Sequence, residues 1–193
     1  MKTKLLLTAY CFMATEIEKK YRVTEAQVEA LRARLQAVGA KAEGTEFEVN
    51  TVYAGPGLEP RRRLLRLRRV GQRAVLTYKE RPPTEAAIKQ QREDETEVAD
   101  ADALAAILEG LGYTPALVYE KRRETWRLDE AEVVLDELPF GWFVEIEGEE
   151  VAIHAVERKL ELDTAEVEHA TYPALAQQHG TTRGSVVEAR FDD

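Results

Sequence analysis

Apolar and polar residues alternate one by one along most of the chain, and this period of two predicts β-strands. Seven segments show the pattern, at 14–23, 46–54, 62–70, 74–80, 117–128, 132–138 and 142–149, and the polar segment 92–98 is predicted as a further strand. The last three of the seven are joined by the short connections DEA and PFG, which are typical of antiparallel neighbours. We therefore predict eight strands, mostly antiparallel.

Four further segments predict helices, at 24–39, 101–112, 150–162 and 171–180. The first begins at Thr24, a suitable N-cap, and ends at Gly39. Its apolar residues recur at intervals of three and four, at Val28, Leu31, Leu35 and Val38. Residues 81–91 are predicted to be a connection, and the tail 181–193 has no assignable role.

The charged residues of the strands fall on one face of each strand. In segment 14–23, Glu16, Glu18 and Lys20 share a face, with roughly 7 Å between neighbours. The same rule places further charged side chains together, strand by strand: Arg66 with Arg68, Lys79, Glu93 with Glu95 and Glu97, Lys121 with Arg123, Asp136, and Glu145 with Glu147. For any single strand, a solvated outer face is the ordinary explanation of such alternation.

The helices favour a different arrangement when all strands are considered together. Segments 24–39 and 101–112 have apolar stripes, which need an apolar sheet surface to pack on. If the apolar strand faces lie outside under helices, the charged faces line an internal bore. A closed barrel also hides the edges of so many strands. We predict an α+β fold, an eight-stranded antiparallel β-barrel tunnel with a charged interior and flanking helices.

A dry bore that mixes arginine, lysine and glutamate side chains would be costly, because buried charges lose their hydration. The cost falls if the bore holds a polyanion together with divalent cations. Carboxylate oxygens suit hard cations such as Mg²⁺, whereas arginine and lysine suit phosphate oxygens. Phosphoryl transfer depends on this division of roles. The charge pattern therefore predicts a metal-dependent site for a phosphorylated substrate.

Several motifs occur in a defined order along the chain. They are E-x-E-x-K at Glu16 to Lys20, R-x-R at Arg66 and Arg68, a strand lysine at Lys79, an arginine and acidic strand at Arg92 to Glu97, L-G-Y at 111–113, E-K-x-R at Glu120 to Arg123, Asp136, G-x-F-x-E-x-E at Gly141 to Glu147, and Thr171-Tyr172. This ordered set resembles the CYTH, or triphosphate tunnel metalloenzyme, family. The family includes class IV adenylate cyclases, thiamine triphosphatases and inorganic triphosphatases. The resemblance covers about residues 14 to 178.

The resemblance implies a tunnel that binds a triphosphate end-on with Mg²⁺ or Mn²⁺. It implies metal ligands at Glu16, Glu18, Glu145 and Glu147, with Glu97 and Asp136 as further candidates. It implies phosphate contacts at Lys20, Arg66, Arg68, Lys79, Lys121 and Arg123, with Arg92 as a candidate. The catalytic set is then Glu16, Glu18, Lys20, Glu145 and Glu147.

Two positions depart from the family pattern. Many class IV cyclases carry a His-Phe pair shortly before E-x-E-x-K, where this chain has Tyr10 and Cys11. Many relatives have a basic residue shortly before the final S/T-Y, where this chain has His169-Ala170. The first departure favours a triphosphatase over a cyclase, and the second leaves one phosphate contact open.

Composition and charge narrow the classes of partner and the cellular location. The chain has 193 residues and a net charge of −9, which argues against broad binding to nucleic acid or to anionic membranes. One cysteine cannot form an internal disulfide, so we expect a cytoplasmic protein. We expect a single domain over 13–180, preceded by an extension at 1–12 with Met13 as a plausible start. A monomer and a homodimer both remain open.

Two classes of function follow. The first is a divalent-metal-dependent triphosphatase acting on inorganic tripolyphosphate, thiamine triphosphate or a nucleoside triphosphate, with a class IV adenylate cyclase as an alternative chemistry of the same site. The second is a non-catalytic sensor that binds polyphosphate or a nucleotide. The number of carboxylates favours the enzyme, because a sensor needs the cations but not so many metal ligands.

Overall fold

The computed structural model describes residues 14–59, 62–80 and 89–192, with backbone only at 14–16 and 89–91. The helices are α1 Glu25–Ala37, α2 Ala101–Gly110, α3 Glu150–Lys159 and α4 Tyr172–His179. The strands are β1 Ala14–Val23, β2 Lys41–Ala54, β3 Arg63–Val70, β4 Arg73–Glu80, β5 Lys89–Glu97, β6 Thr114–Leu128, β7 Ala131–Leu138, β8 Gly141–Glu147, β9 Thr181–Arg183 and β10 Val186–Ala189. The predicted extension 1–12, Met13, Tyr10 and Cys11 lie outside the described residues, as does most of the connection 81–91.

Strands β1 to β8 form an antiparallel barrel. Their order is β2-β3-β4-β5-β1-β8-β7-β6, and β2 also pairs with β6, which closes the circle. The long strands β2 and β6 make this closure from Lys41 to Ala54, with a register shift between Ala42 and Gly44. The predicted eight-stranded barrel with flanking helices is confirmed.

Two short strands that the sequence did not predict extend the sheet. Strand β10 pairs in parallel with the first half of β6, and β9 pairs with β10 through a tight turn. The two strands are only three and four residues long. A period of two is hardly detectable over so few residues, so their existence depends on contacts with β6, which is distant in sequence. The tail to which no role was assigned therefore contributes to the sheet.

The main hydrophobic core lies outside the barrel. Val144 and Ile146 of β8 are fully buried under α1 and α3, in a cluster with Leu31 of α1 and Ile153 of α3. A second cluster lies between α2 and the outer faces of β2, β3 and β4. Each fully buried aliphatic side chain contributes about 1.5–3 kcal/mol. The apolar strand faces therefore point outward under helices, as predicted, and leave the charged faces to the bore.

Helix α1 shows why its residues begin a helix at this point of the chain. The Thr24 hydroxyl accepts from the backbone N–H of Gln27, and the Gln27 side chain accepts from the backbone N–H of Thr24. This capping box satisfies two N–H groups that a helix start leaves unpaired. The capped start directs the apolar stripe of α1 onto the outer face of the barrel.

Helix α4 differs from the other helices because it packs on inner strand faces. Its residues Tyr172 and Leu175 lie against Leu117 and Tyr119 of β6 and Phe143 of β8. Phe143 shares its strand face with Glu145, and Tyr119 shares its face with Lys121. The start of α4 is thereby brought to the charged pocket.

None of the helices within the described ranges has the length and apolarity needed to span a bilayer.

Candidate functional site

A pocket inside the barrel is lined by charged side chains from five strands and by uncharged residues at the start of α4. Its lining includes eight charged residues: Glu18, Lys20, Arg66, Arg68, Lys79, Lys121, Arg123 and Glu145. All eight are residues that the sequence singled out as site candidates. Leu64, Tyr119, Thr171, Tyr172 and Pro173 complete the lining. Cations from opposite sides of the barrel therefore converge on one volume.

Strands β1 and β8 bring together the two E-x-E motifs. Glu18 is the register partner of Glu147, and Lys20 is the register partner of Glu145. The Lys20 Nζ lies 3.4 Å from Glu145 Oε1 and 4.0 Å from the centre of the Tyr172 ring. An ammonium group over an aromatic face gains a cation–π attraction. Lys20 is therefore held between a carboxylate and an aromatic ring.

Arg123 is fixed by a two-pronged contact with Asp136. Its Nε donates to Oδ1 at 2.8 Å, and its Nη2 donates to Oδ2 at 2.6 Å. The same Nη2 donates to Glu145 Oε2 at 2.7 Å, and the Tyr172 hydroxyl donates to Asp136 Oδ2 at 2.7 Å. Burial opposes the charge of Arg123, but Asp136 outweighs it and raises the pKa well above the ordinary value. This guanidinium stays charged and has one orientation.

Glu48 of β2 is a buried carboxylate behind the pocket that the sequence analysis missed. Only 1% of it is exposed, and it lies 3.3 Å from Lys121 Nζ, 3.8 Å from Arg68 Nε and 4.0 Å from Arg123 Nε. Burial alone would raise the pKa of Glu48, but these cations hold the pKa far below its usual range. The signal was present, because Glu48 and Asn50 alternate with Phe47 and Val49.

Lys121 is surrounded by charges of both signs. Its Nζ lies 3.3 Å from Glu48 and 3.6 Å from Asp136, and the side chain is almost fully buried. Burial and the neighbouring Arg123 lower the pKa of Lys121 to about 8, against the opposing effect of the two carboxylates. Lys121 is thus a cation at neutral pH that loses its charge in mildly alkaline solution.

Arg66 and Arg68 of β3 form the opposite wall. Arg66 Nη2 donates to the Thr77 hydroxyl at 3.3 Å, and that hydroxyl donates to Glu95 Oε1 at 2.6 Å. The same carboxylate oxygen lies 3.7 Å from both guanidinium groups. Burial and the neighbouring Arg66 lower the pKa of Arg68. The Nε atoms of both arginines are buried without a hydrogen-bond partner among the described residues.

Lys79 of β4 completes the ring of cations. Its Nζ lies 2.9 Å from a carboxylate oxygen of Glu93, its register partner on β5. Neighbouring positions of the same strands point to the other face. Arg92 and Glu80 are register partners there, and Arg92 donates to Asp94 at 2.8 Å.

The structure does not bring every predicted site residue to the pocket. Arg92 lies on the outer face of β5, so we remove it from the proposed phosphate contacts. Glu97 is exposed at the end of β5, and Glu147 is exposed at the end of β8. Asp136 adjoins the pocket, but three hydrogen bonds from Arg123 and Tyr172 occupy its carboxylate. The Glu16 side chain lies outside the described part.

The barrel wall beside the pocket carries a row of carboxylates. Glu147 is the register partner of Glu18 on β1 and of Glu132 on β7. Directly opposed residues of antiparallel strands have Cβ atoms about 4.5–5.5 Å apart. Among the residues whose side chains are described, no three His, Cys, Asp or Glu are grouped closely enough to hold a metal ion. Carboxylate oxygens in such a row are the donors that hard divalent cations prefer.

Comparison with known proteins identifies the chain's relatives. A family model described as CYTH domain matches residues 14–172. The PH1012 protein from Pyrococcus horikoshii OT3 is similar in structure, with 28% identity and a TM-score of 0.71 over 81% of this chain and 96% of that chain. A search of curated protein sequences found no match.

Two further solved structures share the fold at lower identity. A putative adenylate cyclase from Vibrio parahaemolyticus has 24% identity and a TM-score of 0.68, over 81% of this chain and 94% of that chain. A putative adenylyl cyclase from Hippeastrum, whose description reports a dominant triphosphatase activity, has 20% identity and a TM-score of 0.68, over 86% of this chain and 97% of that chain.

Proposed function

Because the chain belongs to the CYTH domain family, we propose that it is a divalent-metal-dependent triphosphatase that binds its substrate in the bore of the barrel. The observation that carries the proposal is the convergence of six cationic side chains on one pocket: Lys20, Arg66, Arg68, Lys79, Lys121 and Arg123. Arginine and lysine at this density suit the oxygens of several linked phosphates. The substrate class is a triphosphate, either inorganic or attached to an organic group.

Two arginines have hydrogen-bond donors that could bind such a ligand. The Nε atoms of Arg66 and Arg68 are buried and lack a hydrogen-bond partner within the described part of the chain. A buried donor without a partner costs about 1–3 kcal/mol, and a phosphate oxygen would remove that cost. Arg123, in contrast, is already fixed by Asp136 and Glu145 and provides a preset orientation.

The charges of the pocket favour divalent cations as cofactors. Six cations line it, five carboxylates lie within 4.0 Å of them, and Glu18 adds a sixth negative charge. These twelve charges therefore sum to zero, and a triphosphate would add several negative charges without compensation. Mg²⁺ or Mn²⁺ bound together with the substrate would supply the compensating positive charge. Glu18, Glu145 and Glu147, with Glu16, are the proposed ligands.

The reaction requires a water molecule to attack the terminal phosphorus. The P–O bond to the bridging oxygen breaks, and that oxygen leaves on the shorter polyphosphate or diphosphate. The water oxygen stays on the released phosphate, and the proton that the water loses passes to the phosphate products or to solvent. Divalent cations, which Glu18, Glu145 and Glu147 with Glu16 would hold, would neutralise phosphate charge and orient the attacking water. Arg123 and Lys20 hold the equatorial phosphate oxygens, since each is fixed by partners of its own. Charges placed in advance need no reorganisation as negative charge moves to the leaving oxygen.

Two alternatives use the same pocket. In a class IV adenylate cyclase, a ribose 3′-hydroxyl attacks the α-phosphate of ATP and releases pyrophosphate. In a non-catalytic sensor, the cations bind polyphosphate or a nucleotide without turnover. Hydrolysis is preferred because the carboxylate row exceeds the needs of a pure binder, and because the Hippeastrum relative is described as mainly a triphosphatase.

We place the protein in the cytoplasm as a monomer or homodimer, with no nucleic acid or membrane partner.

The proposal is tested by measuring phosphate release from tripolyphosphate, ATP and thiamine triphosphate with Mg²⁺ or Mn²⁺. Chromatography of the ATP reaction separates ADP from cyclic AMP. Phosphate release that stops when EDTA is added supports the triphosphatase, whereas cyclic AMP as the main product supports the cyclase. If tripolyphosphate raises the melting temperature and none of the three substrates is turned over, the protein is a sensor and the enzyme proposal is wrong.

A further inference from the structure

We propose that Glu48 is a positioning residue, which holds Arg68, Lys121 and Arg123 at the spacing that a bound polyphosphate requires. This inference rests on the proposed function, because it assigns a role to Glu48 in the same pocket. Glu48 itself is not part of the pocket lining, whereas all three of its cationic neighbours are. It therefore lies behind the cations and acts through them.

The position of β2 in the barrel explains how one carboxylate reaches three cations. Strand β2 pairs with β3 on one side and with β6 on the other. Glu48 is the register partner of Lys121 on β6, and Asn50 is the register partner of Arg68 on β3. Side chains on the inner face of β2 thus lie between the arginine wall of β3 and the cations of β6.

The distances indicate that Glu48 attracts the cations without using up their donors. Its oxygens lie 3.3 Å from Lys121 Nζ, 3.8 Å from Arg68 Nε and 4.0 Å from Arg123 Nε. All three are longer than the 2.7–2.9 Å of a tight charge-assisted hydrogen bond. Arg68 Nε has no hydrogen-bond partner among the described residues. Arg68 Nε therefore remains available for a ligand, while Glu48 keeps the three charges in place.

Each of the three cations has Glu48 and at least one other carboxylate within 4.0 Å. The other carboxylate is Asp136 for Lys121 and Arg123, and Glu95 for Arg68. Three neighbouring cations repel one another, and without a carboxylate among them they would move apart. Glu48 is the one carboxylate in the described ranges that lies within 4.0 Å of all three.

Fold stability alone gives a weak reason for a carboxylate at this place. A buried ion pair rarely repays the free energy of desolvating its charges, and apolar residues of similar volume are often as stable. Glu48 is 1% exposed, and its neighbour Asn50 is fully buried with an Oδ1 that lacks a hydrogen-bond partner in the described part. The Asn50 Nδ2 donates to Glu48 Oε2 at 3.1 Å and orients the carboxylate. This polar pair is better explained by the cations that it places.

The test compares Glu48→Gln, which keeps the shape and removes the charge, with Glu48→Asp, which keeps the charge and shortens the side chain. The matched control is Glu137→Gln, because Glu137 pairs with Arg122 at 3.0 Å on the outer face of the same sheet. Steady-state hydrolysis of tripolyphosphate with Mg²⁺ gives kcat and KM, and thermal unfolding gives the folded fraction of each variant.

We expect Glu48→Gln to lower kcat by about tenfold or more per folded molecule, because misplaced binding groups slow a reaction that depends on orientation. KM should not rise, since the bore has lost an anion and attracts a polyanion at least as well. Glu48→Asp should retain more activity than Glu48→Gln, whereas a packing role predicts the reverse order. Glu137→Gln should have the same kcat and KM as the wild type.

Four outcomes decide the matter. An inactive wild-type protein contradicts the proposed function itself, and the role of Glu48 with it. An active wild type with unchanged kcat in Glu48→Gln overturns only the role of Glu48, as does greater activity in Glu48→Gln than in Glu48→Asp. If Glu48→Gln does not fold, Asn50→Ala replaces it, because this change removes the hydrogen bond that orients the carboxylate. Wild-type kcat in Asn50→Ala then contradicts the role.

Discussion

Lys20 of β1 and Glu145 of β8 are register partners, and their side chains form an ion pair of 3.4 Å inside the barrel. Because the strands are antiparallel, the same register places Glu18 opposite Glu147. Two motifs separated by more than a hundred residues are thus aligned by one strand pairing. The pairing puts a row of carboxylates next to a phosphate-binding lysine, which is the arrangement that the proposed reaction requires.

The carboxylate row is tested by Glu18→Gln and Glu147→Gln. Each change removes a proposed metal ligand while keeping the size of the side chain. We expect turnover of tripolyphosphate to fall by about 100-fold or more in both variants. The melting temperature should stay close to that of the wild type, because neither residue is fully buried. Wild-type turnover in both variants contradicts the metal role of these residues, and so does a large loss of stability with unchanged activity per folded molecule.

Asp136 is expected to be essential for stability. Its carboxylate is fully buried and accepts hydrogen bonds from Arg123 and from the Tyr172 hydroxyl. Asp136→Asn leaves the Arg123 charge buried with a weaker partner, so the free energy of unfolding should fall by about 3–5 kcal/mol. Urea denaturation measures the change. The outer-face variant Glu137→Gln should lose less than about 1 kcal/mol, and an equal loss in both variants contradicts the assignment.

Tyr172 makes two separable contacts. Its ring lies under Lys20 Nζ, and its hydroxyl donates to Asp136. Tyr172→Phe keeps the ring and should lower the free energy of unfolding by about 1–2 kcal/mol, with KM for tripolyphosphate nearly unchanged. Tyr172→Leu also removes the ring, so Lys20 loses one of its two fixed contacts and KM should rise several-fold. Equal KM values in the two variants would show that the ring does not place Lys20.

The lowered pKa of Lys121 predicts how ligand binding depends on pH. Burial and Arg123 lower the pKa of Lys121 to about 8, so the side chain is charged at pH 7 and mostly neutral at pH 9. An anion binds the charged form better, and the affinity for tripolyphosphate should therefore fall as the pH rises through about 8. Calorimetry at pH 7 and pH 9 in metal-free buffer, where the proposed hydrolysis does not proceed, measures the change in affinity. Lys121→Arg stays charged and should lose less affinity; an equal loss in both proteins contradicts the prediction.

The barrel and most of its charged interior could be predicted because the period of two assigns residues to faces wherever apolar residues alternate with charged ones. This holds for Arg66 between Leu65 and Leu67, and for Glu145 between Val144 and Ile146. In the segment REDETEV nearly every position is polar, so the pattern does not mark which face is apolar. Arg92 was a candidate through the family resemblance alone, and it lies on the outer face with Asp94.

Other features depend on contacts that a local pattern does not contain. Glu48 alternates with Phe47 and Val49, but its importance arises from the closure of β2 against β6, which brings Lys121 beside it. The short strands β9 and β10 form because β6 offers a free edge along its first half. Pairing between strands distant in sequence decides both features. The single domain over 13–180 and the metal ligands stay predictions.

The most direct test of the central claim is hydrolysis of inorganic tripolyphosphate by the purified chain, with Mg²⁺ or Mn²⁺ and again with excess EDTA. The substrate carries no organic group, so its turnover tests the cationic bore and the carboxylate row alone. We predict phosphate release with either metal, its loss in EDTA, and its recovery when the metal is restored. Absence of release with both metals, by protein that unfolds cooperatively and binds tripolyphosphate, would contradict the account.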